Sequence, residues 1–163
     1  MKNRLLYTRL NVIRGAFIYS IGDSIAALLL NEFSWVRLLG MVLIGATIYA
    51  FEIPNYFNWI ERKTKGFSKH KLTLAKASLA IAYFNPIWIF RHLLFIKLCT
   101  KQLDQIDISL FQIALWSFLV NIPISFIANY LIQNKVHLNW RFVASAIFSA
   151  VMAIYYALSE TIF

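Results

Sequence analysis

The chain has 163 residues, 60% of them hydrophobic and only 14% charged, against roughly a quarter charged in soluble domains. That balance excludes an ordinary water-soluble globule, and residues 1–163 read as a single integral membrane domain with no linker. The net charge of +9 raises the question of a nucleic-acid partner, but the placement of the basic residues argues for a lipid bilayer instead.

Five apolar stretches follow one another, at about 12–30, 38–60, 72–96, 108–132 and 142–158. Most reach the ~20 residues that an α-helix needs to cross a bilayer. The predicted fold is therefore all-α, a polytopic transmembrane bundle of four to five spans. The first stretch follows a basic arm, Lys2, Arg4, Arg9 and Arg14. A secretory signal is a poor reading of it, because Asp23 interrupts the apolar core and no small-x-small cleavage site follows. Basic residues gather again at Arg62, Lys63, Lys65, Lys69, Lys71 and Lys76, and at Lys135 and Arg141, whereas the loops near Glu32 and Arg37, and near Lys97, Lys101, Asp104 and Asp107, are almost neutral. The positive-inside rule then puts the N-terminus on the cytoplasmic or matrix side and, with five spans, the C-terminus on the other.

Charged groups inside a span cost roughly 2.5–3.5 kcal/mol each, so they are expected to be few, and paired or facing a polar cavity. Asp23 lies midway between Arg14 and Glu32, about 14 Å from each along a helix, which predicts a position near the midplane. Glu52 is expected in the inner half of the second span, and Arg91 and His92 in the outer half of the third. Two roles for these charges stay open. Glu52 pairs with a neighbouring helix while Arg91 snorkels outward on its alkyl stem, or Asp23 and Glu52 line a polar pathway with Arg91 and His92 as counter-charges.

Pro54, Pro86 and Pro123 all fall within spans and are expected to kink them, each beside a polar neighbour, Asn55, Asn85 or Asn121, that can satisfy a released carbonyl or line a cavity. Ile53-Pro54 and Ile122-Pro123, each followed by Phe three residues after the proline, hint at an internal repeat. Trp35, Trp59 and Trp140 mark span ends, and Trp88 and Trp116 are expected between helices. In the last span Ala146, Ala150, Ala153 and Ala157 form a small-residue seam. Cys99 has no disulfide partner within the chain, and His70 and His137 sit in basic loops. No phosphate-cradling glycine loop, metal-spaced His/Cys set or nucleophile elbow is present, so no enzyme, metal or cofactor is expected.

Several short motifs are shared with a known family. Gly22-Asp23 in the first span, Arg37, Gly45, Tyr56-Phe57 and Ile60-Glu61 in the second, Phe84-x-Pro86 in the third, and later Trp116, Asn129-Tyr130, Val136-His137, Arg141, Tyr156 and Leu158-Ser159 resemble the small membrane proteins named for the mouse Mpv-seventeen protein and the twenty-two-kilodalton peroxisomal membrane protein. Ala26 and Ala27 replace a usual Gln, and Ala80 and Ile81 a usual Asp-Gln. The resemblance implies a multi-pass helical protein of an organelle or bacterial inner membrane, a channel for small solutes. A weaker one, through Asp23-Ser24-Ile25-Ala26, Pro54 and the Phe…Pro of the third span, is to AlaE-type L-alanine exporters, which lack the fifth apolar segment.

Together these readings favour a channel or carrier for a small polar solute, lined by Asp23, Glu52, Asn55, Asn85, Arg91, His92 and Asn121. A non-transporting structural or assembly protein is the alternative, an intramembrane enzyme a distant third. Monomer and homo-oligomer both stay open.

Overall fold

The computed structural model describes the backbone of residues 5–162, and their side chains except at 153 and 156–162. Lys2 and Arg4 of the basic arm, and the side chains of Ala153, Tyr156, Ala157, Leu158 and Ser159, lie outside the described residues. Among the described residues the chain is helical throughout its regular structure, with no strand.

Helix α1 (Arg9–Leu29) begins at Thr8, whose hydroxyl accepts from the Asn11 N–H, and ends in a tight turn where Asn31 takes a left-handed φ of 57°. Ser34 caps α2 (Trp35–Ile44) by accepting from the Arg37 N–H at 3.1 Å. A π-helical turn, Gly45–Tyr49, joins α2 to α3 (Ala50–Lys63). Met41, Gly45, Tyr49, Ile53 and Phe57 are all buried at four-residue intervals. An ordinary α-helix would carry that spacing around its surface, and the wider π turn helps hold it on one face.

The third apolar stretch is two helices. α4 (Lys69–Tyr83) stops at Phe84, and α5 (Pro86–Thr100) starts anew with Pro86 in its first turn and Asn85 as N-cap, accepting from the Trp88 N–H at 3.1 Å. Pro86 therefore starts a helix, where its missing N–H is harmless, and does not kink one. Pro54 and Pro123 do lie inside helices, α3 and α6 (Ile108–Lys135). Pro54 is buried and Pro123 exposed, so the two Ile-Pro pieces do not share an environment. Asp107 caps α6, taking both the backbone N–H and the hydroxyl of Ser109, and these bonds hold its carboxyl below the usual range.

Four units are long and apolar enough to cross a bilayer: Arg9–Leu29, Trp35–Lys63, Lys69–Thr100 and Ile108–Lys135. The expected fifth, α7 (Leu138–Ile162), is a helix packed beside α1. Each unit packs on the next, and α7 closes the ring by lying parallel to α1, with Arg14 bonded to the Asn139 carbonyl at one end and Gly22 against Ala150 further along. The basic segments of α1, the α3–α4 loop and the α6–α7 turn thereby gather at one end.

The surface of this ring is inverted relative to a soluble protein. On α6 the outward residues are Leu115, Trp116, Leu119, Val120, Ile124 and Ile127, all 43% exposed or more except Leu115 at 36%. Such a continuous apolar exterior is what lipid requires and water penalises, and the chain is a multi-pass helical membrane protein. Trp116, expected between helices, is 54% exposed and faces outward, whereas Trp88 is buried as expected.

Close backbone approach holds the ring together. A Cβ on Gly15 would overlap the Gly45 carbonyl, one on Gly45 would overlap that of Gly15, and one on Gly22 would overlap Ala150. With little hydrophobic drive between helices in lipid, such small-residue crossings supply the packing; Ala146, fully buried, and Ala150 are the described part of the alanine seam. Gly15→Val is expected to destabilise the protein by about 1–3 kcal/mol through overpacking, read as a lower Tm in detergent. An unchanged Tm would show that α1 and the second span do not cross there.

Candidate functional site

Three charged clusters sit inside the bundle, at different depths. At the non-basic end Arg37 grips Asp23 with two parallel bonds, Nε to Oδ2 at 2.8 Å and Nη2 to Oδ1 at 2.9 Å, and reaches Glu32 with Nη1 at 3.2 Å. Asp23 and Arg37 are each 2% exposed. Asp23 stands six residues before the end of α1, and the expected counter-charges are corrected: its partner is Arg37, neither Arg91 nor His92.

Midway along the second and third spans, Glu52 meets Arg91, Nη1 to Oε1 at 2.9 Å and Nη2 to Oε2 at 2.7 Å, and the Tyr83 hydroxyl donates to the same Oε2 at 2.8 Å. Arg91 does not snorkel outward as one reading expected; it turns to Glu52, and the two are at one depth instead of in opposite halves. About a third of each side chain is exposed, into a cleft of about 320 Å³ lined also by Tyr56, Ala82, Asn85, Ile87 and Trp88. The cleft lies at the break between α4 and α5, so Asn85-Pro86 creates it.

At the basic end Glu61 accepts from Lys76 at 2.6 Å and from Arg141, and Arg141 also bonds the Val136 carbonyl and Gln133. One carboxylate there joins α3, α4 and α7. Sequence reasoning placed Lys76 and Arg141 among loop charges, yet each is 8% exposed.

The remaining expected site residues divide. His92 is buried, bonded through Nδ1 to the Tyr49 hydroxyl at 2.9 Å and stacked on Trp88 at 6° between planes. It belongs to an aromatic centre with Tyr19 and Tyr49 and carries no counter-charge role. Asn55 exchanges two bonds with the Leu6 backbone and donates to the Phe51 carbonyl, fastening the N-terminal segment. Asn121 stands on a polar ladder that spacing alone could have revealed. Ser117, Asn121, Ser125, Asn129 and Gln133 recur every four residues on α6, and none is more than 9% exposed.

Along this ladder Asn121 donates to Ser125 Oγ at 2.8 Å and Asn129 to the Ser125 carbonyl at 2.9 Å. Among the described residues Ser117 Oγ, Asn129 Oδ1, Gln133 Nε2 and, on α7, Ser145 Oγ have no hydrogen-bond partner. Unpaired buried polar atoms are costly, so their alignment along one face asks for an explanation beyond packing. Among the described residues no group of three His, Cys, Asp or Glu side chains is placed to hold a metal.

Arg37→Gln is expected to cost about 3–5 kcal/mol, because it strands Asp23 without its counterion, and Asp23→Asn added to it should restore a large part of the loss. Simple additivity of the two, measured as Tm changes in detergent, would show that the pair is not coupled. No protein-family model, curated protein or solved structure matches this chain.

Proposed function

We propose that this chain is a channel or carrier through which small polar solutes cross a membrane. The observation that carries the reading is the α6 ladder. From Ser117 to Gln133 it rises through 16 residue steps of helix, about 24 Å, most of the ~30 Å hydrocarbon core. Polar side chains also serve as glue between membrane helices, but glue needs a partner on the facing helix. Among the described residues Ser117 Oγ, Asn129 Oδ1 and Gln133 Nε2 on the ladder, and Ser145 Oγ on α7, lack one, whereas a solute passing along the face would meet donors and acceptors at intervals of one turn.

The ladder runs toward Arg141 and the Glu61 cluster, the polar mouth of such a route at the basic end. The reading agrees with the resemblance to the Mpv-seventeen family, and with it we place the protein in a bacterial inner membrane or an organelle membrane, N-terminus on the cytoplasmic or matrix side.

Purified protein reconstituted into liposomes and exposed to a hyperosmotic step of a small polar solute tests this. The vesicles should re-swell faster than protein-free ones. Asn121→Leu combined with Asn129→Leu should slow the protein-dependent rate by about tenfold, the equivalent of roughly 1.4 kcal/mol on the barrier. Equal re-swelling with and without protein would overturn the proposal in favour of a structural role.

A further inference from the structure

We propose that the hairpin tip between α3 and α4 binds the headgroups of anionic phospholipids and selects them over zwitterionic ones. The proposal does not depend on the transport reading, since it concerns the loop at the basic end and no part of the α6 ladder.

The first argument is a local excess of charge that the protein leaves unbalanced. Residues 61–76 hold six lysines and arginines and a single acid, Glu61. That acid is already engaged by the buried Lys76 and Arg141. Lys63, Lys65, Lys69 and Lys71 are exposed, and none of the four has an acidic partner among the described residues. The turn that carries them is fixed. Thr64, 1% exposed, donates its hydroxyl to the Ile60 carbonyl at 2.8 Å, the Phe67 N–H bonds the Thr64 carbonyl at 3.1 Å, and Gly66 takes the left-handed φ of 91° that reverses the chain. The last turn of α3 and the first of α4 therefore stay side by side, and their ammonium groups cannot spread apart as they would on a flexible tail. An anionic surface relieves the repulsion that results.

The second argument is depth. The Lys71 ammonium lies 4.6 Å from the centre of the Phe67 ring, the Lys63 ammonium 6.0 Å from that of Trp59 and, at the same end of the bundle, the Arg14 guanidinium 4.9 Å from that of Trp140. A cation over an aromatic face is attracted to it, and tryptophans at span ends settle among the headgroups. Cations held on such rings stand at the level of the lipid phosphates instead of out in the water above them. A nucleic acid or a soluble polyanion would need the patch to stand clear of the bilayer. A zwitterionic headgroup arrives with its own cation beside the phosphate and gains little here, whereas an anionic headgroup brings a phosphate without one. Each lysine near an anionic surface contributes about fivefold in affinity, so a few of them acting together give a clear preference.

Native mass spectrometry of the full-length protein, released from micelles that hold phosphatidylglycerol and phosphatidylcholine of the same acyl chains in equal amounts, tests the proposal. Phosphatidylglycerol adducts should outnumber phosphatidylcholine adducts by about fivefold or more, and the preference should fall to about twofold or less when Lys65→Gln, Lys69→Gln and Lys71→Gln are combined. Lys101→Gln, which changes an exposed lysine at the opposite end, should leave the preference as it is. Equal occupancy of the two lipids on the unmodified protein overturns the proposal without recourse to any variant. So does an undiminished preference in the triple variant, or a loss just as large in Lys101→Gln. Glycerophosphoglycerol, the same headgroup without its chains, separates a lipid from a soluble phosphate. Added in large excess it should leave the lipid adducts in place, and their displacement would assign the patch to soluble anions and overturn the lipid assignment.

Discussion

A carboxylate and a guanidinium, each almost wholly enclosed, face one another across the turn between α1 and α2, and the hairpin they close sets the geometry of the bundle. The low dielectric around them makes either charge alone prohibitive, so Asp23 fixes where Arg37 must lie, and with it the register of α2 against α1. Once that register is set, Gly15 meets Gly45 and the two backbones touch. The same rule then operates twice more, where Arg91 must find Glu52 and where Lys76 and Arg141 must share Glu61. Each cluster ties different helices, so together the three specify the order of the ring more sharply than apolar packing does in a solvent as apolar as the side chains.

Satisfying charges in this way leaves the neutral polar residues in a different position. On α6 the inward face carries amides and hydroxyls while leucines and isoleucines face outward, the reverse of a soluble amphipathic helix. A helix of this kind is stable only where its exterior is lipid and its interior tolerates polar atoms. The ring arrangement supplies both, because α4, α5 and α7 cover the inner face of α6 and the outer face is left to the bilayer.

Much of this fold was legible from the chain because lipid imposes a coarse rule on sequence: long apolar runs, neutral and basic loops in alternation, tryptophans near the ends. Helix existence and the ring's basic end follow from that rule. The pairing of Asp23 was not legible, because Arg37 looked like a loop residue. Only the sharp turn at Asn31–Ser34 folds it back along α1, and turns are not specified by hydropathy. For the same reason Lys76 and Arg141 passed as surface charges, while Glu61, the acid that buries them, was noticed only as part of a family motif. The Glu52–Arg91 pair was half legible. Both residues were singled out, but linear counting along a continuous third span placed them at different depths, and the break at Asn85-Pro86 removes the premise of that counting. The α6 ladder needed no structure at all, since its period of four stands in the sequence; attention to proline neighbours picked out Asn121 and passed over Ser117 and Gln133.

The break in the third span links the parts that the charges alone do not. A continuous helix from Lys69 to Thr100 would present its residues at a fixed 100° per step, whereas ending α4 at Tyr83 and restarting at Pro86 resets the direction of everything after it. Asn85 makes the restart cheap by capping the new helix and by donating its amide to the Ala82 carbonyl, so both backbone ends stay satisfied in a region where unsatisfied ones are excluded. The reset directs Tyr83, from the last turn of α4, and Arg91, from the second turn of α5, onto the same carboxylate of Glu52. It also stands Trp88 between the cleft and His92. A helix break at membrane depth is tolerated only where protein or a polar cavity covers it, and here the cleft, the ion pair and the break occupy one place because each supplies what the other two require.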